Sequence, residues 1–249
     1  MRIAGILLLL LLGQVSLAST DSVNNESGKK AKEKAAHLRL TSRLHSKGMF
    51  FYSGRIITKN PVTDINFVYE RKQWGFLFFK AIDLVDRNTD INFSLAVLYK
   101  NFKLGNRVTI TPNVGFILEQ KKSVADQGSD AVTIVNTAIK LNRNFTFDNS
   151  AIFGNLFITN EYNWTNRFRL LFSEKHVDAT AYFWHNNKLF DGTGYASTGM
   201  TVSYSRMKLS EHLSASTGIS GLLMLNSNDQ EDFPMRNGIV FTLGLQFVN

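Results

Sequence analysis

The sequence predicts an all-β fold, a closed antiparallel barrel of about twelve strands, roughly ten to fourteen being admissible, that crosses a membrane. Three observations predict it. Apolar residues alternate with small polar ones along one segment after another, the two-residue period of a β-strand. Short turns and longer links alternate between these segments, as they do when one rim of an antiparallel cylinder is plain and the other elaborate. The polar stripes carry Ser, Thr, Gly and Asn where a water-facing sheet would carry more Lys and Glu.

Composition sets the frame. The chain has 249 residues, 44% hydrophobic and 12% aromatic, with twenty Phe. That is too apolar for a disordered chain, and 19% charged residues is low for a soluble one. The absence of Cys excludes disulfides, thiolate catalysis and Cys-based metal sites.

The first residues read as a cleavable export signal, residues 1–18. Arg2 is the positive start, Ile3 to Leu12 the apolar stretch, and Ser16-Leu17-Ala18 ends in the small residues of a cleavage site. Residues 19–47 read as a polar, basic periplasmic segment, flexible or weakly helical between Lys29 and Leu44. It holds seven Lys/Arg against Asp21, Glu26 and Glu33. Most of the formal charge of +8 sits there or in the leader, and the body from residue 48 is close to balanced. No basic face remains of the kind a nucleic-acid reader needs.

From Gly48 onwards the alternation is sustained, and the barrel is expected to occupy 48–249. The strands are expected near 48–58, 63–71, 74–84, 89–101, 106–118, 130–141, 144–155, 162–173, 176–186, 195–206, 212–224 and 236–248. The fourth has Ile91, Phe93, Leu95, Val97 and Tyr99 on one face and Asn92, Ser94 and Ala96 on the other. The fifth sets Val108, Ile110, Val114, Phe116 and Leu118 against Thr109, Thr111, Asn113 and Gly115, with Pro112 a mild objection because it removes a ladder donor. The eighth places Trp164, Phe168, Leu170 and Phe172 opposite Thr165, Arg167 and Arg169. The tenth opposes Met200, Val202 and Tyr204 to Ser197, Gly199, Thr201 and Ser203, and the eleventh opposes Ile219 and Leu223 to Ser214, Ser216, Gly218 and Ser220. Lys72-Gln73, Asn142-Arg143 and Glu174-Lys175 mark short turns, whereas Glu119–Ser129, Asn187–Gly194 and Leu225–Met235 mark long loops.

Two solvents compete for the apolar stripes. In a soluble sandwich or small barrel they point inward; in a membrane barrel they face lipid and the polar stripes line the lumen. The hydroxyl- and amide-rich stripes favour the second arrangement. On that reading Arg55, Glu70, Lys100, Arg107, Lys140, Asp148, Arg167, Arg169 and Asp178 line the lumen, where both signs can pair across a narrow interior. Aromatics gather near strand ends, so Tyr52, Trp74, Tyr99, Trp164 and Trp184 are expected at headgroup depth. The last segment, Gly238 to Asn249, alternates Ile239, Phe241, Leu243, Leu245 and Phe247 with Thr242, Gly244 and Gln246. A lipid-embedded sheet tolerates no open edge, so this strand is expected to close against the first.

The leader, the strand pattern and this final stretch together resemble Gram-negative outer-membrane β-barrel proteins of the small porin-like class. The Phe-, Asn- and Lys-rich style is similar to barrels of the Bacteroidota. The resemblance implies that Phe241, Leu243, Leu245 and Phe247 form the C-terminal signal read by the barrel-assembly machinery, although Phe247 is third from the end. It implies outer-membrane lipids as surroundings, and small hydrophilic or anionic solutes as cargo, with no cofactor.

Chemistry is sparse. His212-Leu213-Ser214 has the His-x-Ser spacing of barrel phospholipases and lipid A deacylases, in which His activates Ser. The topology puts it beside a short turn, on the periplasmic side, away from the outer leaflet where those enzymes work. His176 and Asp178 also sit beside a short turn, and His37, His45 and His185 have no metal-ligand spacing. Gly192-Thr-Gly194 reads as loop punctuation. A porin-like channel is therefore the favoured function. A non-conducting structural or adhesive barrel acting through loops 119–129, 187–194 and 225–235 is the alternative, and a lipid hydrolase the remote one.

Overall fold

The computed structural model describes residues 36–48, 54–86, 88–89, 91–119, 129–154, 156, 162–189, 192–231 and 233–249. The leader expected at 1–18 and the interfacial Tyr52 lie outside the described residues. Strands in chain order are β1 (His37–His45), β2 (Val62–Arg71), β3 (Trp74–Asp83), β4 (Phe93–Lys100), β5 (Phe102–Leu104), β6 (Val108–Glu119), β7 (Ser129–Lys140), β8 (Phe145–Gly154), β9 (Asn163–Glu174), β10 (Val177–Lys188), β11 (Gly194–Lys208), β12 (Leu213–Ser227) and β13 (Gly238–Val248).

Every neighbouring pair is antiparallel, and the sheet closes on itself. β1 pairs with β2 on one side and β13 on the other, running from Arg39 opposite Val248 to His45 opposite Thr242. On the far side β4 pairs with β6. β5 continues β4 in the same register on β6, with Phe93 opposite Glu119 and Phe102 opposite Ile110. The break at Asn101 falls where β3 ends, at Trp74 opposite Lys100, so the last residues of this wall segment have β6 alone as partner. The result is a closed twelve-stranded antiparallel barrel with one extra short strand.

The alternation of turns and loops has the expected parity. Lys72-Gln73 and Lys175-His176 are two-residue turns whose first residue has positive φ, 58° and 41°. Positive φ at that position matches the right-handed strand twist and keeps the hairpin tight, although Gly is the usual occupant. The links after β1, β3, β6, β8, β10 and β12 all leave the opposite rim and are mostly longer.

The first strand departs from expectation. It lies at 37–45, inside the segment 19–47 expected to be polar, basic and flexible or weakly helical, and not at 48–58. Its stripe of Leu38, Leu40 and Leu44 is interrupted by Ser42, and the facing Arg39 and Arg43 gave it the look of a solvated charge run. Residues 54–61 carry no strand; they belong to the link from β1 to β2.

Register assigns the two faces of the wall. Leu40, Ile65, Phe76, Phe78, Leu98, Phe116, Phe168, Phe183, Met200, Ile219, Phe241 and Leu243 are exposed on the outer face. Aromatic neighbours ladder across that face: Phe145–Phe172, Phe147–Phe168, Phe168–Phe183 and the stacked Phe153–Trp164 have ring centroids 5.1, 6.3, 6.2 and 5.7 Å apart. Such pairs add roughly 0.5–1.5 kcal/mol each beyond simple burial.

One stripe faces the other way. Ile91, Phe93, Leu95, Val97 and Tyr99, read from the sequence as outward, point inward. Phe76 opposite Leu98 and Phe78 opposite Ala96 form the outer pairs, while Leu77 opposite Val97 and Phe79 opposite Leu95 form the inner ones. Ile91 and Phe79 are fully buried.

Candidate pore lumen

The inner face divides into two zones along the barrel axis. Towards the short-turn rim it is polar and charged; towards the long-loop rim buried polar groups, His45, Asp64 and Asp83, stand beside apolar clusters into which Ile56 and Ile57 pack.

In the polar zone, adjacent strands offer opposite charges. Arg169 Nε on β9 donates to Asp148 Oδ1 on β8 at 2.8 Å. Beside it, Arg167 donates to Ser150 Oγ at 2.7 Å and lies over the Trp184 ring, 5.2 Å from its centroid. Asp178 on β10 accepts from Ser173 Oγ at 2.6 Å, from Arg206 at 3.0 Å and from the Ser205 hydroxyl. Arg206 reaches it from a β-bulge between Tyr204 and Met207, where its own φ is 59°. Bulges re-aim side chains in this way. On the β2–β4 stretch of wall, Tyr99 OH donates to Glu70 Oε1 at 2.8 Å over β3, its ring lying over Gly75, the residue it pairs with there. A Cβ at Gly75 would collide with that ring, which is why a residue without one stands there.

β1 supplies a further network that sequence reasoning missed. Arg43 Nε donates to Asp64 Oδ1 at 3.0 Å, and His45 Nε2 lies 2.7 Å from Asp64 Oδ2. His45 Nδ1 is 2.9 Å from Thr242 Oγ1, so the network ties β2, β1 and β13 together across the closure of the barrel. His45 and Asp64 are both buried. The signal was present: Arg39, Thr41, Arg43 and His45 occupy every second position against Leu38, Leu40 and Leu44.

Other inward or loop-borne cations are Lys188 and Arg55, whose charges lie 5.5 and 4.9 Å from the Phe233 ring centroid, and Arg236, which donates to the Ile57 carbonyl at 2.7 Å. Lys140 follows the inner register of β7 at the short-turn rim. Arg107 lies in the exposed turn before β6.

Of the sequence-derived lumen set, the register brings Glu70, Lys140, Asp148, Arg167, Arg169 and Asp178 to the inner face, and Arg55 reaches it from the loop. Lys100 is a correction. It pairs with Trp74 on the outer face, where its ammonium sits over Trp74 and Phe102 at 5.1 and 4.9 Å. Its parity follows that of β4, which is inverted relative to the sequence reading.

Two of the five girdle aromatics move for the same kind of reason. Trp74 and Trp164 are outward and partly exposed. Tyr99 and Trp184 point inward, Trp184 with 1% of its surface accessible. Position near a strand end does not fix the face; parity does. The outer stripe of β13 holds Phe241, Leu243, Leu245 and Phe247, all exposed.

His212 and Ser214 form no catalytic pair. His212 Nδ1 is 3.1 Å from the Val248 carbonyl, its ring beside Phe247, while the Ser214 hydroxyl points to the Gln246 carbonyl at 3.5 Å. Both side chains engage β13. Among the described residues no cluster of His, Asp or Glu is arranged to hold a metal ion.

No protein-family model matches the chain, and no curated protein matches it in sequence. Solved structures do match in fold. The NanC porin aligns with a TM-score of 0.57 at 10% identity, over 86% of this chain and 99% of that one. The KdgM porin in complex with disordered oligogalacturonate aligns at 0.51 and 7% identity, over 85% and 98%. These likenesses define the fold alone, a closed antiparallel β-barrel of the architecture seen in those two porins.

Proposed function

We propose that this chain is an outer-membrane porin-like channel for small hydrophilic solutes, anions preferred. The observation that carries the reading is the inner side of a closed barrel, where among the described residues Arg39, Arg43, Lys140, Arg167, Arg169 and Lys188 on the strands, Arg206 from the bulge and Arg55 from the loop outnumber Asp64, Glu70, Asp83, Asp130, Asp148 and Asp178. The fold shared with the NanC and KdgM porins supports it, the latter having a structure in complex with disordered oligogalacturonate.

Permeation needs sites that attract a solute without holding it. Two unit charges 4 Å apart in water-like surroundings attract by about 1 kcal/mol, enough to bias entry and too little to trap. Pairing does the rest: Arg43, Arg169 and Arg206 each already share a carboxylate, so an incoming anion meets partly satisfied cations. No bond is made or broken in this action, and His212 and Ser214 have no part in it. Export through the leader at 1–18, insertion guided by the C-terminal strand, and a lipid-facing outer stripe complete the reading.

Purified protein in a planar bilayer tests it. Discrete single-channel currents with a reversal potential favouring chloride over potassium are expected, and the double variant Arg167→Glu/Arg169→Glu should reduce or reverse that preference. Silence at all voltages from a correctly folded barrel would refute the reading.

A further inference from the structure

Residues 54–58, in the link from β1 to β2, do something that a surface loop does not: they cross the lumen. Gly54 lies against Trp184 of β10, so closely that a Cβ would overlap the indole, and its carbonyl accepts the Ser197 hydroxyl of β11. Ile56 is buried among Tyr195, Leu222, Met224, Phe233 and Val240, on β11, β12, β13 and their loop. Ile57 packs against Val62, Phe79, Ala81 and Ile91, on and beside β2 and β3. From β10 round to β3 is six strand spacings, about 29 Å along the wall at ~4.8 Å each. Three residue steps reach about 10 Å. A segment this short can touch both places only as a chord through the interior.

The inverted stripe then has an explanation. Phe79, Ala81 and Ile91 face inward into a cluster that Ile57 of this segment joins, with Phe93 and Leu95 packed around the same cluster. An open aqueous lumen would penalise that stripe in proportion to the apolar area left wet. The apolar wall and the chord are two halves of one packed layer. Its polar edges are also tied: Arg236 to the Ile57 carbonyl at 2.7 Å, Gly48 N to the Thr58 carbonyl at 2.8 Å, and Asn60 Nδ2 to Asp83 Oδ2 at 3.1 Å. Gly54 has φ +69°, a conformation that L side chains rarely adopt, and it makes the turn into the lumen possible.

We infer that residues 54–58 are a built-in constriction that sets the size limit of the channel, with Arg55 presented beside the remaining aperture as its charge filter. The Arg55 guanidinium, 5.8 and 4.9 Å from the Tyr195 and Phe233 ring centroids, is held by two aromatic faces rather than by chain flexibility. This inference rests on the channel reading above.

The test compares wild type with a variant lacking residues 54–58, and with the full-length double variant Ile56→Ser/Arg236→Ala, which keeps the chain but removes an apolar anchor and a tether. Heat-modifiable migration selects folded barrel for each. Single-channel conductance is then measured, together with the largest neutral polyethylene glycol that enters the pore. The deletion is expected to raise conductance by roughly twofold or more and to admit larger polymers, with the double variant intermediate or noisier. Wild type silent and deletion conducting would mean a closed plug in place of a size limit, and would overturn both the channel reading and the constriction. Equal conductance and equal polymer cut-off in wild type and both variants would overturn it while leaving the channel reading intact. Folded barrels silent in all three forms would overturn the channel reading, and the constriction with it.

Discussion

Asp64 shows how much of the barrel's closure rests on single polar side chains. It is buried on β2, takes a hydrogen bond from Arg43 and faces His45, which in turn meets Thr242 on β13. Removing one member of a buried charged set leaves the others desolvated and unmatched, typically a loss of about 3–5 kcal/mol. Asp64→Ala is therefore expected to lower unfolding free energy by roughly that amount in a urea titration of the detergent- or lipid-embedded barrel. Thr242→Val, which removes only the far hydroxyl, is expected to cost about 1 kcal/mol. Equal losses for the two would show that Asp64 is not the hub. These residues also show what a sequence conveys at this scale. The inward positions of Asp148, Arg167, Arg169 and Asp178 could be read from alternation, because their strands have one clearly apolar stripe. Tyr99 and Trp184 could not be placed, since an aromatic near a strand end fits a membrane interface and a packed interior equally well.

At the level of the strand, alternation separates two faces without saying which one is in. For β9 and β13 the polar stripe settles the matter: Thr165, Arg167 and Arg169, or Thr242, Gly244 and Gln246, have no place on an apolar exterior. For β4 one stripe is apolar and the other, Ser94, Ala96 and Leu98, only weakly polar, so the larger apolar residues read as outward. The structure turns them inward, where Phe93 and Leu95 pack on Val62, Phe79, Ala81 and Ile91, and a distant residue, Ile57, joins the same cluster. That information lies in the link between β1 and β2, more than thirty residues from the strand it explains. β1 was obscured differently: its outer stripe is broken by Ser42, and its inward charges resemble a solvated run. Face assignment can be checked by charge insertion. Leu243→Arg, on the outer stripe of β13, is expected to destabilise the lipid-embedded barrel by about 2–4 kcal/mol if it sits near the bilayer midplane. Thr180→Arg, on the inner face of β10, is expected to cost far less and to increase anion preference in bilayer recordings. Comparable destabilisation by both substitutions would mean that the outer stripe does not meet lipid.

For the molecule as a whole, closure is the property from which the others follow. A lumen exists only if no strand edge is left open, and an open edge within a bilayer exposes backbone donors and acceptors at several kcal/mol each. β1 provides the joint, pairing with β2 through Glu70–His37 to Val62–His45 and with β13 through Val248–Arg39 to Thr242–His45. Deleting residues 37–45 should therefore abolish the barrel rather than shorten it. The remaining eleven wall strands cannot re-close as an antiparallel cylinder, because β2 and β13 would meet with the same chain direction. The expected result is a deletion protein with no heat-modifiable form on gels and no protease-resistant core in lipid vesicles. Replacing 37–45 by an alternating Val/Thr strand of equal length is expected to restore some folded barrel, less stable by the lost Arg43–Asp64–His45 contacts. Were the deletion protein to fold and conduct like wild type, residues 48–58 would have to be the first strand after all, and the chord across the lumen could not be there.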